Sequence, residues 1–382
     1  MGLLARHRNN RAAELLQRAL RAEQDERYAE AEQLARQAAE SYARAVGPGA
    51  MPTADALAVV GRILHAQGLA EQAERELRAA LGTLALQPDG EVLLRSGLAK
   101  LLRNEGRYQE AVEEIARALS VGASLAPSLI ARKANATVLA DLGRHREAAE
   151  EYAALGVAAR SEGWEFALVI ESNRLAQLAY LGEHEAVERG VARLKAESVQ
   201  ASEPGATLTR TSANNSLAVS LSLRERHADA EDLLRRALAT GPAGGSFEAI
   251  LRVNLSRALL GQGRTEESRT ALDTARALAE QVPGLPDRDR SALDLAAARQ
   301  HLAEGDPAAA ERAARAGLAR CPAGDRPTHR ALELRTALGT AEARQGRGEQ
   351  TLTAAIADWE AHFGAAHHGA TAARAASTAP AG

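Results

Sequence analysis

A helix–turn–helix pattern recurs along almost the whole chain. Its clearest copy covers residues 98–119, LAKLLRNEGRYQEAVEEIARAL, where apolar residues three and four positions apart lie on both sides of the turn GRYQEA. This spacing predicts two amphipathic helices joined at Gly106, a residue that adopts turn conformations at low cost. Equivalents of Ala111 recur 37 to 44 residues apart, at Ala31, Ala73, Ala111, Ala148, Ala186, Ala230, Ser268, Ala310 and Thr351. We therefore predict about nine stacked helix pairs, because one pair cannot bury its own apolar face.

A second row of small residues supports this prediction. Twelve residues before most of these positions, the first helix of the pair carries Ala19, Gly61, Ala99, Ala136, Ala218, Ser256, Ala298 or Gly339. Small residues on both sides of a crossing point allow two helices to approach closely. The composition agrees, since 46% of residues are apolar but only 3% are aromatic. Such a chain favours helices that pack through Ala and Leu, and the predicted fold class is all-α.

The turn GRYQEA, with its glycine, aromatic residue and small alanine, resembles the core of a tetratricopeptide repeat. The stretch AVGPGAMPTADALAVVGRILHAQG, at residues 45–68, resembles the longer units of kinesin light chains, which are joined by a loop containing Gly-Pro. The resemblance implies a right-handed superhelical α-solenoid over residues 1–369, with a possible hinge in the polar stretch 197–209. Residues 370–382 would begin a tenth unit and end in a disordered tail. Only three of 47 basic residues are lysine, which indicates a bacterial source.

The sequence offers little for catalysis, cofactors or nucleic acid. A net charge of −3 with interspersed signs gives no basic footprint for nucleic acid. The single cysteine, Cys321, excludes an internal disulfide and a cysteine-based metal cluster. No phosphate-binding glycine loop, zinc-peptidase motif or nucleophile elbow is present. His362, His367 and His368 lack a further ligand at suitable spacing, so we expect no metal site, no cofactor and no enzymatic activity.

The chain also lacks the features of a membrane or secreted protein. No apolar run approaches the roughly 18–20 residues that span a bilayer, and the N-terminus has no signal-peptide core. We expect a soluble, cytoplasmic protein. Trp164 and Trp359 are expected to pack between pairs. His145 and His227 stand where Tyr108 stands in its own turn, and we expect them to act as structural wedges.

The candidate binding residues follow from the resemblance to tetratricopeptide grooves. In such grooves the residue after the small one faces the concave side, and here that row is Leu20, Arg62, Lys100, Thr137, Val219, Arg257, Arg299 and Thr340. The row holds four cations and no anion. Arg103 and Lys133 would flank the same groove. These charges favour an extended peptide with acidic side chains or a free carboxylate, held by charge-assisted hydrogen bonds.

Asparagines add to this prediction. Asn173, Asn214, Asn215 and Asn254 lie shortly before the small position of their first helices and resemble the peptide-gripping asparagines of kinesin-light-chain-like units. The amide offers a donor and an acceptor to a peptide group. The alternative is that these amides bond neighbouring helices to each other.

The predicted function is a non-enzymatic adaptor or scaffold that captures a peptide or protein segment in its concave groove. The alternative is a ligand-responsive regulator of the peptide-sensing type, without its own DNA-binding domain. No cap is recognisable after the ninth pair. That end would therefore pack against a partner, a second copy of the chain, or the shortened tenth unit.

Overall fold

The computed structural model describes residues 3–161, 164–198, 204–241, 245–324 and 326–378 of the 382-residue chain. These residues form nineteen α-helices and no strand. The first helices of the pairs are α1 (Leu3–Gln24), α3 (Met51–Ala66), α5 (Pro88–Asn104), α7 (Leu125–Asp141), α9 (Trp164–Tyr180), α11 (Pro204–Leu223), α13 (Gly245–Gly261), α15 (Asp287–Ala303), α17 (His329–Ala343) and α19 (His368–Thr378). The second helices are α2 (Tyr28–Val46), α4 (Ala70–Thr83), α6 (Tyr108–Ser120), α8 (His145–Ala159), α10 (His184–Ser198), α12 (His227–Thr240), α14 (Thr265–Glu280), α16 (Pro307–Ala319) and α18 (Glu349–Phe363).

The all-α solenoid architecture predicted from the repeat is confirmed. The two helices of a pair pack against each other, as α5 does on α6, and first helices pack on the first helices of adjacent pairs, as α3 does on α5 and α15 on α17. In the part of the chain that the structure describes, nine pairs are followed by α19, which corresponds to the first helix of a tenth. The right-handed sense of the superhelix stays a prediction.

The small residues lie at the helix crossings, as the two rows predict. Ala19, Gly61, Ala99, Ala136, Ala218, Ser256, Ala298 and Gly339 are all buried. A Cβ added to Gly61 would lie 2.9 Å from the side chain of Leu77 on the partner helix. In the seventh pair the hydroxyl of Ser256 lies 2.7 Å from that of Ser268, which donates to Gln300 Oε1 at 2.8 Å. Serine is therefore tolerated at this crossing because the hydroxyls satisfy each other.

The repeat register predicted from the sequence is wrong by one residue in the fifth and ninth pairs. In the fifth pair the fully buried position is Val187, not Ala186, because α10 begins at His184. In this pair the small residue lies on the second helix and the large one on the first. A Cβ added to Gly190 of the second helix would lie 2.3 Å from Cδ2 of Leu175 on the first. In the ninth pair Leu352 replaces Thr351 as the buried position. Leu352 packs over Gly339, whose added Cβ would lie 2.7 Å from the leucine Cγ.

The turns require a left-handed residue between the two helices of a pair. Gly106 has φ of 75° in the GRYQEA turn, and Gly182 has 78° in the fifth pair. In the turns ERYAEA and ERHADA the same place is taken by Glu26 and Glu225, with φ of 58° and 61°. A side chain strains the backbone in this region, so these two turns are less favourable than the glycine turns.

The chain divides into two compact units, residues 1–138 (unit 1) and 139–382 (unit 2). The single solenoid over residues 1–369 and the hinge at 197–209 stay predictions. Residues 199–203 lie outside the described residues, and α11 already begins at Pro204. Residues 379–382, the predicted disordered tail, also lie outside them. None of the described helices combines the length and apolar character needed to cross a membrane.

Unit 2 is closed by its own C-terminal helix. Helix α19 packs on α17 and α18, where Ala370 and Ala373 join Leu332 and Trp359 in one apolar cluster. Just before α19, His367 Nε2 donates a 2.9 Å hydrogen bond to the carbonyl of Tyr180, at the end of α9. The last helix thus returns to the first pairs of the unit. The end predicted to lack a cap is covered by the shortened tenth repeat.

Candidate functional site

Four of the predicted binding residues come together in unit 1. Arg62 lies on α3, Lys100 and Arg103 lie on α5, and Lys133 lies on α7, so three successive first helices contribute to one surface. We call these four residues the cationic face. Their side chains interact electrostatically, since the charges of the other three lower the pKa of Lys100. The repeat places them there because Arg62 and Lys100 occupy equivalent positions one unit apart.

Crowding of like charges changes the acid–base behaviour of the lysines. Lys100 keeps an exposed surface, yet the surrounding protein removes part of its hydration. This loss of hydration and the charges of Arg62, Lys133 and Arg103 lower the pKa of Lys100 to about 8. Burial and Arg103 lower the pKa of Lys133 as well. Both effects show that protonated lysine is disfavoured here relative to water.

Two acidic residues adjoin the cationic face. Glu23 of α1 forms an ion pair with Arg62, in which Glu23 Oε2 lies 2.8 Å from Arg62 Nη2. Asp55 of α3 also lies within the electrostatic reach of Arg62. Burial raises the pKa of both carboxyls, and the nearby cations oppose that rise without cancelling it. Four cations thus meet two acids on this part of unit 1.

The predicted cations of unit 2 are in a different situation. Arg299 Nη2 and Arg257 Nη1 lie 2.6 and 3.2 Å from the same oxygen, Oε1 of Glu333 on α17. The Glu333 side chain is only 9% exposed. Burial raises the pKa of Glu333, but Arg299, Arg257 and His329 outweigh burial and hold the pKa well below its usual range. Burial and Arg299 lower the pKa of Arg257 to about 10, so it stays charged at pH 7.

Two small cavities adjoin this ion-pair centre. One of about 20 Å³ is bordered by Tyr180, Asn254 and Arg330, together with the centre itself. The other, of about 200 Å³, is bordered by Trp359, His368 and the same centre. The first has room for about one water molecule, whereas sites for drug-sized ligands usually have about 300–1,000 Å³. An extended peptide does not fit inside either cavity.

The predicted asparagines do not form one row. Asn254 Nδ2 donates a 2.8 Å hydrogen bond to Asn215 Oδ1, which links α13 to α11. This bond is the interhelical role that the sequence left open as an alternative. Asn214 Oδ1 is buried without a hydrogen-bond partner. The backbone carbonyl of Asn173 lies 3.5 Å from Gln177 Nε2 within α9.

Histidines gather where unit 2 closes. His329, His367 and His368 each offer a ring nitrogen within 4.8 Å of the others. His145 and His184 join the surrounding ring network with Tyr180, Trp359 and Phe363. Five of the ten histidines of the chain therefore lie in one region. Burial lowers the pKa of His329 to about 4 and that of His368 further still, so both rings are neutral at pH 7.

The wedge positions match their expected structural role. His145 begins α8, is buried, and donates from Nδ1 to Gln177 Oε1 at 2.8 Å. His227 begins α12 and fills the space above Gly261, where an added Cβ would lie 2.3 Å from the ring. Trp359 is buried and donates to Thr336 Oγ1. The side chain of Trp164 lies outside the described residues.

Sequence reasoning missed two central residues of unit 2. Glu333 was not considered because it lies outside the row that follows the small positions. His329 lies 38 residues before His367, one repeat earlier, and only the repeat spacing could have indicated that the two meet. His362 does not join the group formed by His329, His367 and His368.

Comparisons with known proteins find one family model and several solved structures that resemble this chain. The family model described as "Tetratricopeptide repeat" matches residues 23–49 and 211–241. A tetratricopeptide repeat protein from Parabacteroides merdae has 16% identity and a TM-score of 0.47, covering 75% of this chain and 97% of that one. The structure of a Rap protein complexed with competence and sporulation factor has 11% identity and a TM-score of 0.50, covering 85% of this chain and 96% of that one. No curated protein sequence matches the chain.

Proposed function

Since this chain is a tetratricopeptide-repeat protein, we propose that it is a non-enzymatic binding module that captures an extended acidic segment of a protein or peptide on the cationic face of unit 1. One observation carries the proposal. Arg62, Lys100, Arg103 and Lys133 are gathered from three successive first helices, although burial and the charges of the other three residues lower the pKa of Lys100 to about 8.

Gathering like charges costs free energy in the unliganded protein, and an anionic ligand relieves that cost. Carboxylates placed between Lys100 and its neighbours would favour the protonated lysine and form charge-assisted hydrogen bonds, each about twice as strong as a neutral one. The face extends over three repeats, so it suits a chain with several anions better than a single small ion. An extended peptide supplies such anions at intervals comparable to the spacing of the helices.

The interior of unit 2 is less suitable for the same ligand. Arg257 and Arg299 already share Glu333, and the two adjoining cavities hold about 20 and 200 Å³. A peptide there would have to compete with a buried carboxylate. We therefore assign peptide capture to unit 1 and give Arg257, Arg299 and Asn254 a separate role.

A binding titration with defined peptides tests the proposal. A fluorescent peptide of alternating Glu and Ala is titrated with the full chain, and a Gln–Ala peptide of equal length serves as the neutral ligand. We expect saturable binding of the acidic peptide only, with an affinity that falls as salt is added. Lys100→Glu should weaken binding by about 10- to 100-fold, the range for losing a hydrogen bond between charged groups.

Arg75→Glu is the matched control. Arg75 lies on the second helix α4, its side chain is 71% exposed, and its reversal changes the net charge by the same amount. The control should bind within about twofold of the unmodified chain if only bulk charge is altered, since exposed charges contribute little. Equal losses for Lys100→Glu and Arg75→Glu, or equal binding of the two peptides, would contradict the proposal.

The closure of unit 2 favours a second candidate, a ligand-responsive regulator. The contact from His367 to the Tyr180 carbonyl joins residues 187 positions apart, so a ligand that breaks it would free α19 from α9. Such a ligand must bind the open and closed forms with different affinity. Small-angle scattering of the full chain with and without the acidic peptide distinguishes the candidates. A change in the radius of gyration supports the regulator, and an unchanged scattering curve supports a rigid adaptor.

A further inference from the structure

The histidines that close unit 2 have the composition of a transition-metal site. His329 begins α17, His367 immediately precedes α19, and His368 begins α19. One ring nitrogen from each lies within 4.8 Å of the other two. Neutral imidazole is a preferred ligand for zinc and other late first-row metals. Two helices from different repeats thus contribute to one set of donors.

The separation of two of these nitrogens fits a shared metal ion. His329 Nε2 and His368 Nε2 lie 3.3 Å apart. Two nitrogens bound tetrahedrally to zinc, each at about 2.0–2.1 Å, are about 3.3–3.4 Å apart. The same distance is also short enough for a direct hydrogen bond between the two rings, so it is compatible with either arrangement.

Two other ring nitrogens of the cluster have no hydrogen-bond partner. Nδ1 of His329 and Nδ1 of His368 are both buried without a hydrogen-bond partner. Buried polar atoms in this state are uncommon and call for an explanation. Nδ1 of His329 lies 3.4 Å from Glu333 Oε2. With a metal on Nε2, that Nδ1 carries the proton and faces the carboxylate, which is the usual outer-shell arrangement of a metal-bound histidine.

The backbone fixes the protonation of the third ring. Because a carbonyl oxygen only accepts hydrogen bonds, the 2.9 Å contact with Tyr180 places the proton of His367 on Nε2. Nδ1 of His367 accepts a 3.2 Å hydrogen bond from the Gly369 N–H. A backbone carbonyl is also a common outer-shell partner of a metal-bound histidine. A metal bound through Nδ1 of His367 would replace the hydrogen bond from Gly369.

A cavity of about 200 Å³ reaches this cluster. Its lining includes His368 of the cluster, together with Trp359, Gly369, Arg257, Arg299 and Glu333. It offers a route for an ion and space for a fourth ligand. Glu333 lines the same cavity and offsets one of the two arginine charges; the one remaining positive charge favours an anionic fourth ligand, such as hydroxide or a carboxylate, over neutral water.

From this geometry we propose that His329, His367 and His368 bind one zinc-type dication, which fastens α17 to α19 and has a fourth position open to the adjoining cavity. Glu333 acts as the outer-shell carboxylate for His329. The site is independent of peptide capture, since all of its residues belong to unit 2. Its role is to hold the C-terminal helix in the closed position.

Metal titration of the full chain, prepared without a polyhistidine tag and stripped with EDTA, tests the proposal. We expect calorimetry with Zn²⁺ to give one tight site, and Co²⁺ to give the intense visible absorption of four-coordinate cobalt. His368→Gln should weaken Zn²⁺ binding at least about 100-fold, the upper limit for loss of an outer-shell partner. His362→Gln is the matched control, because His362 is exposed in the same segment but outside the cluster, and it should bind as the unmodified chain does.

X-ray absorption of the zinc-loaded unmodified chain tests the site without any substitution. The expected spectrum shows about three imidazole nitrogens at about 2.0–2.1 Å. An oxygen-only shell, the absence of a tight site, or equal affinities of the His368→Gln and His362→Gln variants would each overturn the proposal. If His368→Gln fails to fold, as circular dichroism would show, the absorption spectrum alone decides.

Discussion

Removing the negative charge of Glu333 should destabilise unit 2 more than any other single loss of charge described above. Glu333→Gln keeps the shape of the side chain and one hydrogen-bond acceptor, but leaves Arg257 and Arg299 without their shared anion. The side chain of Glu333 is 9% exposed, that of Arg257 is 21% exposed and that of Arg299 is 28% exposed. Breaking a buried ion pair costs about 3–5 kcal/mol. Because the arginines are partly hydrated and glutamine still accepts a bond, we expect the lower end, about 3 kcal/mol.

Thermal unfolding monitored by circular dichroism in EDTA measures this effect. Unit 2 has 244 residues, and for this size 1 kcal/mol corresponds to about 2–4 °C in Tm. Glu333→Gln should therefore lower the Tm of unit 2 by about 6–12 °C. The control is Glu360→Gln, which breaks the 2.5 Å pair with Arg374 between side chains that are 40% and 43% exposed. Exposed pairs contribute below about 1 kcal/mol.

A double-mutant cycle assigns the loss to the ion pair. Glu333→Gln, Arg299→Gln and the double variant are compared, and residues in contact usually show coupling of about 0.5–3 kcal/mol. We expect at least about 1 kcal/mol here, because the Arg299 contact is the shorter of the two. If Glu333→Gln melts within 2–3 °C of the control, about the shift of a surface pair, or if the cycle shows no coupling, the carboxylate does not organise unit 2.

Three further predictions concern charge, turn strain and packing. Affinity for the acidic peptide should fall as the pH rises above about 8, by up to about tenfold per pH unit, because Lys100 loses its charge there. A fluorescence titration measures this, and the Lys100→Gln variant should show a weaker pH dependence. Glu225→Gly should raise stability by about 0.5–1 kcal/mol in urea unfolding, because φ of 61° strains a side chain, and a loss of stability would contradict this account. Gly369→Ala should cost about 1–3 kcal/mol in the same assay, since its Cβ would lie 2.5 Å from Trp359 Cζ2, and a neutral result would show that the tryptophan can move.

The sequence predicts the fold well because the repeat is a local pattern. Small residues at the crossings, apolar residues at helical spacing and a left-handed turn residue are all readable within 40 residues. The register was wrong by one in the fifth and ninth pairs, where the buried positions are Val187 and Leu352. In both pairs a leucine of one helix packs against a glycine of the other, so a large residue takes one of the two places where the prediction expected a small one. A search for small residues alone does not detect this exchange.

The site is less predictable because it depends on contacts between distant repeats. Lys100 interacts electrostatically with Arg62, Arg103 and Lys133, and their positions in adjacent units could be derived from the repeat, whereas their role in binding stays a prediction. Glu333 meets Arg257 from a helix 76 residues later, and His367 meets Tyr180 from 187 residues away. Such contacts depend on how strongly successive pairs rotate, and sequence patterns within one repeat do not contain that rotation. The sequence named the shortened tenth unit as one possible cover for the ninth pair, but for this reason it did not predict the contact between His367 and Tyr180.

The equivalent cations of the two units therefore differ in what they can bind. In unit 1 Arg62 pairs with Glu23, but burial raises the pKa of that carboxyl and Lys100 keeps three cationic neighbours. In unit 2 Arg257 and Arg299 face a carboxylate whose pKa they hold well below its usual range, so its negative charge is fully present at pH 7. An anion approaching unit 1 meets four cations and two acids, whereas an anion approaching the centre of unit 2 must compete with Glu333. Peptide capture by the cationic face and closure by the interior are thus separable, and a substitution in one should leave the other intact.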